Sequence, residues 1–289
     1  MANQDPLFDI TGKTAIVTGA SSGLGVTFAT VLAERGANVV LAARRTERLQ
    51  EVAGKIVQGG GKAISVTCDV SDSAQVKHMV ATAAEHFGRV DILVNNAGSA
   101  ADAGPVPERV PDEVFEQVVR VNLLGTWYCC REVGEHMLRD GKGGSIINIA
   151  SVAGIGGQQH FPPAYQATKA AVINLTRNLA CSWGDRGIRV NSIAPGWFPS
   201  EMTEPFFAAP AFFERLKGQS PMGRVGEPSE LAGALLLLAS DASSFMTGHT
   251  LVVDGGYSAS IGAAPFSEEI LAEFAAAVPN GLGERIMPT

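Results

Sequence analysis

Tyr165 and Lys169 stand four residues apart in the run Tyr165-Gln166-Ala167-Thr168-Lys169, a spacing that sets both side chains on one face of a helix. An ammonium beside a phenol favours the phenolate and draws the tyrosine pKa down from about 10 towards working pH, so the pair reads as a proton shuttle. A hydroxyl donor, Ser151, closes the apolar run Ile146-Ile147-Asn148-Ile149. An acid/base, a polarising hydroxyl and a cation are the residue types that proton transfer at a carbinol or carbonyl oxygen requires.

Nearer the N-terminus, Thr18-Gly19 closes a first apolar run and Gly23-Leu24-Gly25 opens a helix-period segment. Backbone amides and a helix dipole then face an anionic ligand where strand becomes helix, and the turn fits a pyrophosphate. The spacing T-G-x-x-x-G-x-G departs from the general G-x-G-x-x-G fingerprint; its position directly after the first strand is what points to a dinucleotide. The end of the second apolar run, Ala42-Ala43-Arg44-Arg45, carries no acid for a ribose diol. Arg44 offers a planar, permanent charge to a 2′-phosphate, and Ser21 and Ser22 add hydroxyl donors. NADP(H) is therefore the expected cofactor, with NAD(H) second.

These groups need a frame. Residues 15–17, 39–41, 63–66, 92–94, 146–149, 190–193 and 251–253 are short apolar runs, each flanked by turn signals or charged amphipathic stretches. Near-continuous apolar strands alternating with helices predict an α/β fold: a doubly wound parallel sheet of about seven strands with helices on both faces. One domain is expected over residues 1–258. Residues 199–227, rich in Pro, Phe and Gly, read as an insertion, and residues 259–289 as an extension. In that extension Phe266, Ile270, Leu271 and Phe274 recur at helical spacing after a Ser267 cap with Glu268 and Glu269, an amphipathic helix. Its apolar face packs on its own body, on a neighbouring subunit or over the site mouth; the pattern leaves all three open.

Composition narrows the partners. With 46% hydrophobic residues over 289 positions the chain can bury one sizeable core. Lys and Arg number 22 against 29 acids, a formal charge of −7, which argues against a protein that neutralises phosphate backbones; no nucleic-acid partner is expected. Cys68, Cys129, Cys130 and Cys181 lie in apolar stretches without metal-ligand spacing, so buried free thiols are expected and no metal site. No apolar run reaches membrane-spanning length and no export signal opens the chain, which points to a cytoplasmic protein with no membrane partner.

Taken in order, Thr18-Gly19-Ala20-Ser21-Ser22-Gly23-Leu24-Gly25, Asn95-Asn96-Ala97-Gly98, Asn122, Ser151, Tyr165 and Lys169 resemble the short-chain dehydrogenase/reductase family, over roughly Gly12 to Ser258. The resemblance implies a Rossmann-like domain and hydride transfer between a nicotinamide and a ketone or secondary alcohol. It implies that Lys169 also binds the nicotinamide ribose, and that Asn122 holds a water linking the lysine to solvent. Asp69 should hold the adenine edge, and Asn95 with Gly98 should support the cofactor. Leu24, Val70, Ala97, Pro195, Gly196 and Phe198 join the implied cofactor set, and Ser200 stands where relatives place a cofactor-contacting Thr. A homotetramer is implied, with a dimer second.

The family folds the region after Pro195-Gly196 over its substrate. Phe198, Phe206, Phe207, Phe212 and Phe213 crowd that segment, and such aromatic density suggests a bulky apolar substrate, with Phe206 as a contact. His160, in the connection before Tyr165, is a further candidate contact. A 3-oxoacyl-[acyl-carrier-protein] reductase is the alternative, although the bases expected to meet an acidic carrier are here Arg139 and Lys142, diluted by Asp140, with Arg186 as a second contact. A non-catalytic nucleotide sensor is a third reading, one that relatives lacking the Tyr or Lys would fit better.

Overall fold

The computed structural model describes residues 5–103, 107–158 and 161–260. His160 and the amphipathic segment after 260 lie outside the described residues. Seven parallel strands form one sheet: β1 (Thr14–Thr18), β2 (Asn38–Ala43), β3 (Lys62–Thr67), β4 (Ile92–Asn95), β5 (Gly144–Ile149), β6 (Ile188–Pro195) and β7 (Thr250–Val253). Their spatial order is β3-β2-β1-β4-β5-β6-β7. The order reverses between β1 and β4, where the two crossovers depart to opposite sides and leave a crevice at the carboxyl ends of the strands.

Strand pleat explains the two-sided core. Along β1, Ala15 and Val17 join one cluster with helix α1 (Gly23–Glu34), while Ile16 between them joins the opposite cluster. In β2, Val39 and Leu41 face one way and Val40 and Ala42 the other. Both faces of these two strands must therefore be apolar, which is why they read as continuous runs. On the first face lie α1 and α2 (Thr46–Gln58); on the other lies α3 (Ser73–Phe87), all in chain order after their strands.

The crossover after β4 is a long helix with a defect. Helix α4 (Asp112–Val119) passes through a π turn at Arg120–Leu124 into α5 (Gly125–Asp140). A π turn widens the helix locally, and such insertions recur at functional positions; Asn122 sits in this one. After β5 a short turn leads to α6 (Pro163–Trp183), the helix that carries both Tyr165 and Lys169. The insertion after β6 holds α7 (Glu204–Phe207) and α8 (Pro210–Gln219), each with a proline at its first or second position, where a missing N–H costs nothing. Helix α9 (Ala232–Ala239) returns the chain to the first face, and β7 closes the sheet.

Three cysteines are buried as expected, but Cys181 is exposed on α6. Helical periodicity turns it outward while its neighbours Leu179 and Ala180 face the core. Among the described residues no group of His, Cys, Asp or Glu is arranged to hold a metal ion, and no helix is long and apolar enough to cross a membrane.

Candidate active site

A cleft of about 460 Å³ opens over the carboxyl ends of β1, β4, β5 and β6. Its wall at one end is the turn from β1 into α1. Gly19 there has φ +66°, and a Cβ on it would stand 2.8 Å from Ala97 Cα, so only glycine lets the two strand ends approach. Thr18 stitches the same junction: its Oγ1 accepts from the amides of Asn96 and Ala97, each at 3.1 Å. The first turn of α1 begins at Gly23 with no side-chain cap from Ser22, leaving its amides available to an anion.

Most of the sequence-derived candidates line this cleft: Gly19, Ser21, Ser22, Gly23, Leu24, Arg44, Asp69, Val70, Ala97, Gly98, Ser151, Tyr165, Lys169, Pro195, Gly196, Phe198 and Ser200. Gly25 instead packs beneath the turn, where a Cβ would strike the Gly19 carbonyl. Asn95 does not reach the cleft. Its side chain is buried and its Nδ2 donates to Asn148 Oδ1 at 2.9 Å and to Cys130 Sγ at 3.2 Å. The last residue of β4 points into the α5 side of the core, and the neighbouring Asn96 takes the cleft position, donating to the Thr18 carbonyl at 3.0 Å.

Arg45, unlike Arg44, is already engaged. Its guanidinium donates to Ser21 Oγ at 3.1 Å and Ser22 Oγ at 2.6 Å and pairs with Glu201 beyond β6. Arg48 pairs with the same carboxylate. The neighbouring Ser22, followed by the two arginines, holds the Glu201 carboxyl below its ordinary pKa. Sequence order gives no hint of this ion pair, whose partners are 156 residues apart. Asp69 keeps its turn in shape by accepting from the Ser71 amide and hydroxyl.

At the other end of the cleft Ser151 caps the turn after β5, its Oγ accepting from the Ala153 amide at 3.1 Å. Ser151 also stands beside Tyr165 and favours its ionised form. Lys169 is buried, with Nζ donating to the Ile149 carbonyl at 2.6 Å and lying 5.5 Å from the centre of the Tyr165 ring. Burial pulls the Lys169 pKa down from 10.5 to about 8. For Tyr165, burial pushes the phenol above its ordinary value; the neighbouring Ser151 opposes this and Asp102 reinforces it. The expected lowering of the phenol by Lys169 is therefore not what this geometry produces. The ammonium donates to the Ile149 carbonyl, and burial is the largest influence on the phenol.

Asn122 lies beside this group rather than in the cleft. Its Oδ1 accepts from the Ser99 amide at 2.8 Å, while Nδ2 donates to the Ser99 carbonyl at 2.9 Å and to Thr168 Oγ1 at 3.1 Å. The loop after β4 is thus tied to α6. Phe206 belongs to an aromatic cluster whose hub is Trp197: Phe206, Phe207 and Phe212 lie 5.6, 6.3 and 6.1 Å from it. Through Phe161, at 5.9 Å from Trp197 and 6.1 Å from Tyr165, the cluster reaches the candidate acid/base. Phe198 is buried against the body of the domain, so Trp197, overlooked in the sequence, carries the aromatic surface there.

Comparison with known proteins identifies the family. The family described as Enoyl-(Acyl carrier protein) reductase matches residues 19–258. Gluconate 5-dehydrogenase of Gluconobacter oxydans is 39% identical over 260 residues, covering 88% of this chain and 98% of its own. 3beta-hydroxysteroid dehydrogenase 1 of Eggerthella lenta is 41% identical over 249 residues, covering 86% and 94%. The crystal structure of a gluconate 5-dehydrogenase from Burkholderia cenocepacia in complex with NADP and tartrate superposes with a TM-score of 0.84 at 36% identity, covering 89% of this chain and 99% of that one. With identity sustained along nearly the whole domain, the chain belongs to the short-chain dehydrogenase/reductase family of NAD(P)-dependent oxidoreductases.

Proposed function

We propose that this protein is an NADP(H)-preferring reductase or alcohol dehydrogenase that interconverts a ketone and a secondary alcohol on a bulky, largely apolar substrate. The observation that carries the reading is the convergence of Ser151, Tyr165 and buried Lys169 at one end of a cleft whose other end is the glycine turn of α1. The residues fit a nicotinamide dinucleotide. A Cβ on Gly98 would stand 3.7 Å from Lys169 Nζ and 3.6 Å from Asn122 Oδ1, so the bare glycine leaves the amine open to ribose hydroxyls. The α1 amides and Ser21, Ser22 and Arg44 are suited to the phosphates, and Asp69, Val70, Ala97, Pro195, Gly196, Phe198 and Ser200 complete the binding surface.

The nicotinamide, when bound, supplies or accepts the hydride. Tyr165 Oη gives the proton to the carbonyl oxygen in reduction and takes it from the hydroxyl in oxidation. Ser151, whose oxygen already accepts from Ala153, uses its hydroxyl proton to hold the same substrate oxygen. Lys169 anchors the ribose through its ammonium, and Asn122 acts through the Ser99 loop and Thr168 rather than by touching substrate. The Trp197 cluster supports an apolar substrate, since rings continuous with Tyr165 exclude water and offer large contact area.

An acyl-carrier-protein substrate is the weaker reading. Arg139 and Arg186 are each beside an acid, Glu135 at 3.7 Å and Asp185 at 3.8 Å, which dilutes the positive face such a carrier needs. Assembly as a homotetramer, with a dimer second, fits the exposed Phe115 and Leu124 on the α4–α5 helix; sedimentation would test it. The decisive experiment is a panel of ketones and alcohols assayed with both nicotinamides: turnover of apolar ketones with NADPH supports the proposal, and binding of NADPH without turnover of any carbonyl refutes it.

A further inference from the structure

Helix α6 opens on Pro162-Pro163, which brings no side-chain cap to its first turn. The acceptor comes from 62 residues away. Asp102, in the loop after β4, is only 3% exposed, and its Oδ2 accepts from the Ala164 amide at 2.6 Å and the Tyr165 amide at 3.2 Å. Its Oδ1 is buried without a hydrogen-bond partner among the described residues, and no cation pairs with it there. A carboxylate buried this deeply is costly unless something compensates. Here the compensation is two free amides and the positive end of a 21-residue helix.

The same loop is held from the other side, because Asn122 clamps both backbone groups of Ser99 and reaches Thr168 on α6. Loop and helix are therefore joined at Tyr165 by Asp102 and one turn later by Asn122. The groups facing the Tyr165 phenol are Ser151 from the turn after β5, Lys169 from its own helix and the charge of Asp102 from the loop after β4.

We propose that Asp102 is a positioning residue for Tyr165: its carboxylate fixes the first turn of α6 and sets the charge environment in which the phenol gives and takes its proton. The carboxylate disfavours the phenolate, so it keeps the phenol protonated to higher pH than the pocket otherwise would. It acts through Tyr165 and touches neither substrate nor cofactor. This rests on the reading of Tyr165 as the proton shuttle.

Two substitutions separate its two effects. Asp102→Asn keeps an oxygen for the amides and removes the charge; Asp102→Ala removes both. The chain has three tyrosines, so carbon-13 labelling at tyrosine Cζ, with Tyr165→Phe to assign the signal, reads the phenol directly by NMR. In Asp102→Asn the Tyr165 titration should move to lower pH, and the rising limb of kcat/KM for alcohol oxidation should follow it. Asp102→Ala should lose about tenfold or more in kcat at all pH values, with Asp102→Asn restoring most of it near neutrality. A Tyr165 titration that stays put or rises in Asp102→Asn overturns the proposal, whether or not Asp102→Ala folds. Near wild-type turnover in Tyr165→Phe would instead refute the shuttle reading, and the NMR shift would still stand or fall by itself.

Discussion

Arg45 at the start of α2 and Glu201 in the segment beyond β6 form an ion pair, Nη1 to Oε2 at 2.9 Å, across the cleft end lined by Ser21 and Ser22. Both side chains are nearly half exposed, so the pair adds little to stability. Its interest lies in competition: a 2′-phosphate arriving at this end seeks the same guanidinium that Glu201 now holds.

Cofactor discrimination should follow. Arg44→Ala is expected to weaken NADPH by about 1.5–3 kcal/mol, the scale of a charge-assisted hydrogen bond, with little effect on NADH. Glu201→Gln should release Arg45 and tighten NADPH a few-fold relative to NADH. Titrations of both cofactors by fluorescence check this, and equal changes for the two would assign these residues to structure alone.

Turnover is expected to fall by at least about two orders of magnitude in Tyr165→Phe, with NADPH affinity nearly unchanged. Lys169→Ala should impair both turnover and cofactor binding. Steady-state kinetics alongside equilibrium binding distinguishes the two patterns, and a Tyr165→Phe enzyme within a few-fold of wild type contradicts the acid/base assignment.

The buried amine gives stability a pH signature. Folding lowers the Lys169 pKa from 10.5 to about 8, so between these values the unfolded chain binds the additional proton and stability rises with pH. The full cost of the buried charge, on the order of 3 kcal/mol for this shift, applies below about 8 and disappears above 10.5. Thermal melts of wild type and Lys169→Met from neutrality into this window should differ in slope, the variant lacking the contribution. Cofactor affinity should run the other way, declining as the ammonium is lost above about pH 8. Parallel melting slopes for both proteins would contradict the buried-amine account.

Local signals carried far in this chain because a parallel sheet writes itself into short windows. All seven apolar runs became strands, and the glycine turn, Ser151, Tyr165 and Lys169 met at the cleft. What escaped depends on where side chains point once distant segments meet. The direction of Asn95 follows from the pleat and twist at the end of β4, which sequence spacing does not resolve. Asp102 caps a helix from another crossover, and Glu201 engages Arg45 over 156 residues. The sense of the Tyr165 shift was hidden for the same reason: a four-residue spacing reveals the neighbouring charge but not the burial that raises the phenol.

The aromatic cluster bears on substrate size. Trp197 contacts Phe206, Phe207 and Phe212 edge-on or tilted, and Phe161 carries the surface to Tyr165. If these rings sort substrates, kcat/KM across ketones of growing hydrocarbon size should rise by up to a few-fold per methylene, since full burial of one is worth about 0.8 kcal/mol. Small polar polyols should be poor substrates, even though a gluconate dehydrogenase is among the relatives. Phe206→Ala should cost large ketones more than small ones, and Trp197→Ala should flatten the whole series because it removes the hub. Better turnover of a polyol than of every aryl or long-chain ketone would mean that the rings only pack the segment after β6. An equal loss across the series in Phe206→Ala, with a lower melting temperature, would lead to the same conclusion by an independent route.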